Sequence, residues 1–477
     1  MSSLHEKVLT RWSKSKVSFD YRRALELVNQ GPASMSAKDM LDWATSHPFL
    51  KLRRTLVPDG ILPCEAHIID ISIRPPKRRG RGPRILDDDV YDAFPPLRKY
   101  VARGLCVLET KDGARGACQY QIVISAMKKF TGGPGDDDDL AEFSDEDDGA
   151  DTNTLRARWQ HYFTESSDHA VRLIDSSKEN GDSAHMGVAR VGGAIFPVLG
   201  SKLVHIIVGT ADHVELYPEA EFRHAKGLAR AFFETQVSGR VGEAKFREFL
   251  ATMSAKHYTA TFEYLDVGHQ HVELFAFPRS TFRFIAFTST SDVSLLCCDI
   301  EAGVEMAAQA GFETMKITAH DAKDQDALFQ SIRQTHGTEG SVVYYLNADN
   351  KVIGMVKKKS VWYILVRAFR EKMKGLRSRV VRAVESNHLD GLEKATADVK
   401  RSVRKMLRQK QEWLGFSERV KAAWEELGMR LCDWLVAQLR QRKLEPSEVG
   451  DMWPLVWNRF LRECKQSDVI SLDGEAL

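Results

Sequence analysis

The residue pattern changes character once along the chain, and this change limits the folds open to it. Short alternating or apolar runs typical of strands fill residues 101–123 and 169–290, interrupted by one predicted helix at about 222–253. From about residue 371 to 465, glycine-rich turns almost vanish and Leu, Val, Lys and Arg recur at helical spacing. We therefore expect an α+β core followed by an all-α C-terminal domain.

Length and composition set the outer bounds. A chain of 477 residues supports two or three domains, and its 68 basic and 66 acidic residues nearly cancel. No apolar stretch approaches the roughly 18 residues that a membrane span needs, and the charged N-terminus resembles no secretory signal. The seven cysteines contain no CxxC pair, which favours a reducing, intracellular location, either cytoplasmic or nuclear.

Two charge runs divide the chain. The tract 74–84 is basic and rich in Pro and Gly, so it predicts a loop that acts as a nuclear import signal, a nucleic-acid contact or a linker. Residues 136–151 hold ten acids in sixteen positions, which predicts a disordered acidic insertion at about 131–155. We expect an N-terminal helical and basic extension over 1–85, a central α+β domain over 86–370 and a helical basic domain over 371–477.

One tetrapeptide, Lys178-Glu-Asn-Gly181, has the strongest chemical character. It follows the apolar run 171–174, so it predicts a lysine amine presented at a strand end, with a glycine that lets other backbone come close. Alone it also fits a solvated turn, because short motif matches arise by chance.

Three later segments strengthen the case for a site. Glu263 sits inside an apolar strand pattern, and Glu339-Gly340 opens another. Lys357 and Lys359 then face the same side of a predicted strand, where two ammonium groups repel each other unless an anion lies between them. A bound phosphate is the natural anion for this pair, and a solvated edge strand is the alternative.

This ordered set resembles the covalent nucleotidyltransferase superfamily, and within it the ATP-dependent RNA ligases of the phage T4 RNA ligase 1 type and their eukaryotic RNA- and tRNA-sealing relatives. Lys178-Glu-Asn-Gly resembles motif I, Phe262-Glu-Tyr264 motif III, Glu339-Gly340 motif IV and Lys357-Lys-Lys359 motif V. Weaker likenesses cover Gly200-Ser-Lys202, Phe282-Arg-Phe-Ile285 and the upstream Arg103-Gly104. The resemblance spans about residues 90–370.

The resemblance implies a core of two packed antiparallel sheets with helices that encloses ATP and Mg²⁺ or Mn²⁺. It implies that Lys178 takes AMP, that Lys357 and Lys359 are catalytic, and that Glu339 and Glu263 bind metal. The implied nucleotide-binding residues are Glu179, Asn180, Gly181, Arg103, Lys202, Glu263, Phe284 and Glu339. RNA is the implied partner, as tRNA halves or broken structured RNA, with separate kinase and phosphodiesterase enzymes healing the ends of a monomeric sealing enzyme.

Several alternatives stay open at the level of sequence. Arg103 also fits a surface arginine, Glu263 a structural ion pair, and Phe282 and Phe284 a hydrophobic core. Motif I usually carries aspartate where this chain has Asn180, and Lys111-Asp-Gly113 is one residue too short to be motif I. A non-catalytic RNA-binding relative and a GTP-using capping enzyme are the competing functions.

Overall fold

The computed structural model describes residues 8–10, 12–13, 19–77, 85–111, 117–132, 136, 158–386 and 390–470. Residues 78–84 of the basic tract, Asp112 and Gly113, and most of the predicted acidic insertion lie outside the described residues. Strands and helices are numbered below in chain order.

A four-stranded antiparallel sheet forms the N-terminal part. Its order is β1-β2-β3-β4, with β1 Leu50–Leu56, β2 Ala66–Ile73, β3 Leu105–Lys111 and β4 Cys118–Ser125. Helices α1 Tyr21–Leu27, α2 Ala37–Ser46, α3 Asp87–Ala93 and α4 Pro95–Tyr100 accompany it. Ser36 caps α2 by accepting a hydrogen bond from the Asp39 backbone N–H. Since β2 pairs with β3, this sheet runs across the boundary predicted at residue 85.

The second sheet has six strands in the order β11-β10-β9-β6-β7-β8. These are β6 Asp182–Val191, β7 Ala194–Gly200, β8 His205–Ile207, β9 Tyr258–Leu265, β10 Thr281–Ser289 and β11 Glu313–Thr314. The helix predicted at 222–253 is α5 Glu219–Phe232, a π-helical turn Phe233–Val241 and α6 Glu243–Lys256. Gly242 separates the last two with a φ of +84°, a conformation open to glycine.

The third sheet has the order β12-β5-β13-β14, with β5 Arg172–Ser177, β12 Ile317–Asp321, β13 Gly340–Leu346 and β14 Val352–Lys359. Helices α7 Ile300–Gln309 and α8 Gln325–Gln334 lie between its strands in sequence. Buried side chains from this sheet, including Ile174 and Tyr344, join Ala286 of the second sheet in one apolar cluster. The predicted α+β class with packed antiparallel sheets is confirmed.

The C-terminal region is all-helical, also as predicted. Its helices are α9 Val361–Glu385, α10 Asp390–Leu414, α11 Glu418–Arg440, α12 Glu448–Asp451 and α13 Trp453–Cys464. The first of these helices begins about ten residues before the helical region expected from about residue 371. Ser360 caps a helix there by accepting from the Tyr363 N–H. No helix in the described ranges has the length and apolarity to cross a membrane.

Candidate active site

Lys178 follows β5 directly, and strand pairing brings it to Glu339. The Lys178 backbone N–H donates to the Gly340 carbonyl at 2.9 Å, and Lys178 Nζ lies 3.1 Å from Glu339 Oε1. Gly340 has a φ of +127°, and a Cβ there would meet the Lys358 carbonyl oxygen at 2.1 Å. Glycine is therefore required at this position, where the backbones of β13 and β14 come close together.

Strand β14 supplies two cations to the same place. Gly340 pairs with Lys359 in the ladder, which places Lys359 Nζ 3.7 Å from Glu339 Oε1. Lys359 is buried, and Lys357 lines the same cavity. Lys358 points elsewhere, to Asp136 Oδ2 at 3.1 Å. The prediction that Lys357 and Lys359 share one face is confirmed, because side chains alternate along a strand.

Asn180 connects three groups through one buried amide. Its Nδ2 donates to Glu339 Oε2 at 2.9 Å and to the Tyr363 hydroxyl at 3.0 Å. Its Oδ1 accepts from the Val272 N–H at 2.9 Å. An aspartate has no such donor, so asparagine fits the contact with the Glu339 carboxylate that this chain makes.

Gly181 and Glu263 line the same cavity and are joined by a hydrogen bond. The Gly181 N–H donates to Glu263 Oε1 at 3.0 Å, and a Cβ on Gly181 would meet the Tyr264 carbonyl oxygen at 2.2 Å. Burial raises the pKa of the Glu263 carboxyl, against the opposing charge of Lys178. The carboxylates of Glu263 and Glu339 offer the oxygen ligands that hard divalent cations take.

These residues line a cavity of about 420 Å³ together with Arg103 and Lys202. Its lining includes nine basic side chains and four acidic ones, so the wall carries an excess of positive charge. The basic members are Arg103, Lys128, Lys129, Lys178, Lys202, Lys357, Lys359, Arg367 and Arg370. A cavity of this size and charge suits a compact polyanion such as a nucleoside triphosphate.

Two predicted nucleotide contacts need separate comment. Glu179 lines the cavity but is paired with Arg283, whose Nη1 lies 2.6 Å from Glu179 Oε1. Phe284 is fully buried, with its ring 5.6 Å from Phe262, and does not line the cavity. The expectation for Phe284 is corrected, because alternation on β10 turns Ile285 toward the cavity and Phe284 into the core.

Sequence reasoning missed several residues of this site. Lys129 lies beside Asp88 as a buried ion pair, and Arg367 and Arg370 reach the cavity from α9. Burial raises the pKa of Glu273 to about 8, with the charges of Glu179 and Glu339 adding to the effect. Lys128 and Lys129 could have been found in the sequence, because two adjacent lysines follow an apolar strand. Arg367 and Arg370 were missed because α9 begins before the predicted helical region.

No protein-family model and no curated protein matches the chain. Among solved structures, Naegleria gruberi RNA ligase with pyrophosphate is similar at 9% identity and a TM-score of 0.28, covering 69% of this chain and 99% of that one. A lysine-to-alanine mutant of that ligase with ATP and Mn gives 12% identity and a TM-score of 0.30, covering 66% and 98%. A second such mutant in the apo form gives 10% identity and a TM-score of 0.29, covering 66% and 97%.

Proposed function

We propose that this chain is an ATP-dependent RNA ligase that works through a lysyl-AMP intermediate. The observation that carries the proposal is the position of Lys178 Nζ, 3.1 Å from Glu339 Oε1 in a cavity shared with Lys357, Lys359 and Glu263. These residues come from four separate parts of the sequence, and each part matches a motif of the resembled family in order. A solvated turn would not assemble them.

The first step transfers AMP to the enzyme. The Lys178 amine attacks the α-phosphorus of ATP, an N–P bond forms, and the P–O bond to pyrophosphate breaks as pyrophosphate leaves with the electron pair. The attacking amine must lose its ammonium proton before it attacks, and the ammonium groups of Lys357 and Lys359 lie in the same cavity. The same cations stabilise the negative charge on the transferring phosphoryl group.

The two later steps use RNA. A 5′-phosphate oxygen attacks the lysyl-AMP phosphorus and releases Lys178, and a 3′-hydroxyl then displaces AMP to form the phosphodiester. Glu339 and Glu263 would hold a Mg²⁺ or Mn²⁺ ion, which neutralises phosphate charge when bound. Arg103 and Lys202, which line the same cavity, would contact phosphate oxygens.

We further propose an RNA substrate with broken ends, such as tRNA halves or cleaved structured RNA, in tRNA splicing or RNA repair. The chain would act as a monomer in the cytoplasm or nucleus, after separate enzymes have healed the ends. These assignments depend on the resemblance of the motifs and on the positive cavity wall.

The test measures nucleotide transfer and sealing in sequence. Purified protein with a divalent cation is incubated with α-labelled ATP or GTP, and the labelled protein is then given 5′-phosphorylated RNA with a free 3′-hydroxyl. We expect label from ATP to remain on the protein, to pass to RNA 5′ ends and to be released on joining. Retention of GTP instead would indicate capping chemistry, and no label with either nucleotide would leave a non-catalytic RNA-binding relative.

A further inference from the structure

Helix α9 turns one face toward the cavity. Tyr363, Arg367 and Arg370 all line the cavity, and their spacing of four and then three residues places them on one face of the helix. The Tyr363 hydroxyl accepts from Asn180 Nδ2 at 3.0 Å, so this face starts beside the loop that carries Lys178. Since a helix rises about 1.5 Å per residue, the backbone of Arg370 lies about 10 Å farther along the axis.

The basic side chains of the cavity have different neighbours. Burial lowers the pKa of Lys129, and the charges of Lys357 and Arg103 lower it further, against the carboxylate paired with it. Burial also lowers the pKa of Arg370, where the neighbouring cation is Arg367 and nearby carboxylates oppose the effect. The two arginines therefore form a basic pair of their own on α9.

Arg370 is a buried guanidinium with incomplete contacts. It is 8% exposed. Its Nη2 donates to the Gly450 carbonyl at 2.6 Å, and its Nη1 lies 3.6 Å from Glu371 Oε1. Its Nε is also buried and has no hydrogen-bond partner among the residues that the structure describes. The two nearby carboxylates, of Glu371 and Asp451, are more than half exposed, so water screens their charge.

These contacts favour an anion in the cavity beside Arg370. A buried donor without a partner and a buried charge without a counter-ion both cost free energy. Arg367, three residues earlier on the same face, adds a second positive charge, and like charges at this spacing repel each other unless an anion lies between them. A guanidinium offers a planar fork of donors that matches two oxygens of a phosphate. The arginine pair therefore suits a phosphate group.

The proposed reaction brings two phosphate-bearing substrates into this cavity. AMP transfer places the α-phosphate of ATP at Lys178. The RNA 5′-phosphate must then enter the same cavity, because one of its oxygens attacks that phosphorus. The arginine pair is thus available for the second substrate while the groups around Lys178 hold the first.

We propose that Arg370, with Arg367 beside it, binds the 5′-phosphate of the RNA strand that receives AMP. The inference rests on the proposed function, to which it adds a subsite for the second substrate. The terminal phosphate of ATP has the same chemistry, so the experiment measures both ligands.

The test measures binding, so that it does not depend on catalysis. Fluorescence anisotropy compares a 3′-labelled single-stranded oligoribonucleotide that carries a 5′-phosphate with the same strand carrying a 5′-hydroxyl, in EDTA to prevent transfer. We expect the wild type to bind the 5′-phosphorylated strand about tenfold more tightly, as one charge-assisted contact predicts. Arg370→Ala should bind both strands equally, and Arg370→Lys should keep part of the preference. Calorimetry with ATP should give the same affinity for Arg370→Ala as for the wild type.

Two further variants separate recognition from stability. Arg379→Ala removes an exposed arginine of α9 that lies outside the cavity lining, and it should keep the full preference. Arg367→Ala should reduce the ratio of the two affinities, a readout that general destabilisation would not move. If Arg370→Ala fails to fold without its bond to Gly450, the Arg367→Ala variant and the wild-type comparison decide.

The outcomes distinguish this inference from the proposed function. Equal wild-type affinity for the two strands, or a preference that survives both Arg370→Ala and Arg367→Ala, overturns the subsite even if ATP labels Lys178. Weaker ATP binding by Arg370→Ala with an unchanged RNA preference overturns the assignment to RNA in favour of the terminal phosphate of ATP. A preference that depends on Arg370, without a covalent AMP label, overturns the ligase proposal and leaves the subsite standing. Absence of both RNA binding and label overturns both.

Discussion

The buried side chain of Asn180 joins separate segments of the candidate site through hydrogen bonds. Its amide group donates to Glu339 and Tyr363 and accepts from Val272, so it ties the loop after β5 to β13, α9 and the segment before β10. Such a side chain must be both donor and acceptor, which aspartate at neutral pH is not.

The first prediction concerns Asn180→Asp. The substitution places a second carboxylate against Glu339 and removes the donor to Tyr363, so we expect it to lower the free energy of unfolding by about 1–3 kcal/mol. It should also slow AMP transfer, since Glu339 would move relative to Lys178. Urea denaturation measures the stability, with the exposed Asn29→Asp as control. Unchanged stability would show that the amide donor is dispensable.

The second prediction concerns Glu273, whose pKa is raised by burial to about 8. In the unfolded chain the Glu273 carboxyl loses its proton at about pH 4.3. Between these values the folded protein binds more protons, so this carboxyl makes the free energy of unfolding fall as pH rises. Glu273→Gln should therefore flatten the decrease in melting temperature between about pH 5 and pH 8. The exposed Glu248→Gln should leave the slope as in the wild type, and an identical slope in Glu273→Gln would contradict the assignment.

At the scale of elements, Asp136 anchors strand β14 through contacts with Lys358 and Lys359. This aspartate is fully buried; it accepts from Arg333 through both carboxylate oxygens, at 2.6 and 2.7 Å, and from the Lys359 N–H at 2.8 Å. The predicted disorder of the acidic insertion therefore does not extend to Asp136. The contacts keep Lys358 away from the cavity while Lys357 and Lys359 face it.

The third prediction is that Asp136→Ala destabilises the protein by about 3 kcal/mol, because it leaves the partly buried charges of Arg333 and Lys358 without their carboxylate. Thermal unfolding monitored by circular dichroism checks this, with the exposed Asp212→Ala as reference. A decrease in stability no larger than that of Asp212→Ala would mean that the contacts of Asp136 contribute nothing to folding.

The elements also show what the sequence could and could not reveal. Alternation placed Lys357 and Lys359 on one face, as predicted. The pairing of β5 with β13 brings Glu339 to Lys178. The start of α9 was missed because residues 361–366 are apolar without interruption, and such a run fits a buried strand or a buried helix equally. Phe284 was misplaced because pattern alone does not say which face of β10 meets the core.

At the scale of the whole molecule, the cavity depends on regions that are distant in sequence. Arg103, Lys128 and Lys129 come from the first sheet and its flanks, and Arg367 and Arg370 come from α9. Sequence reasoning named Arg103 through the resemblance but missed the two lysines and the two other arginines, because only the packing of the first sheet and α9 against the core brings them to the cavity.

The fourth prediction follows from α9, which crosses the boundary predicted at residue 370. Its residues Leu365, Phe369, Met373 and Leu376 are all fully buried among the C-terminal helices. A fragment 1–370 would expose the first half of that apolar face, so we expect it to be insoluble or partly unfolded. A soluble monomeric fragment with native circular dichroism would contradict a shared core.

The central claim is that Lys178 carries AMP, and peptide mapping by mass spectrometry after incubation with ATP and Mg²⁺ tests it most directly. We predict that the peptide containing Lys178 gains the mass of one AMP with the modification on the lysine nitrogen, and that Lys178→Arg gains none. The exposed Lys323→Arg, outside the cavity, should be modified as the wild type is. AMP on another residue, or no adduct on folded protein shown to be free of prior AMP, would contradict the account.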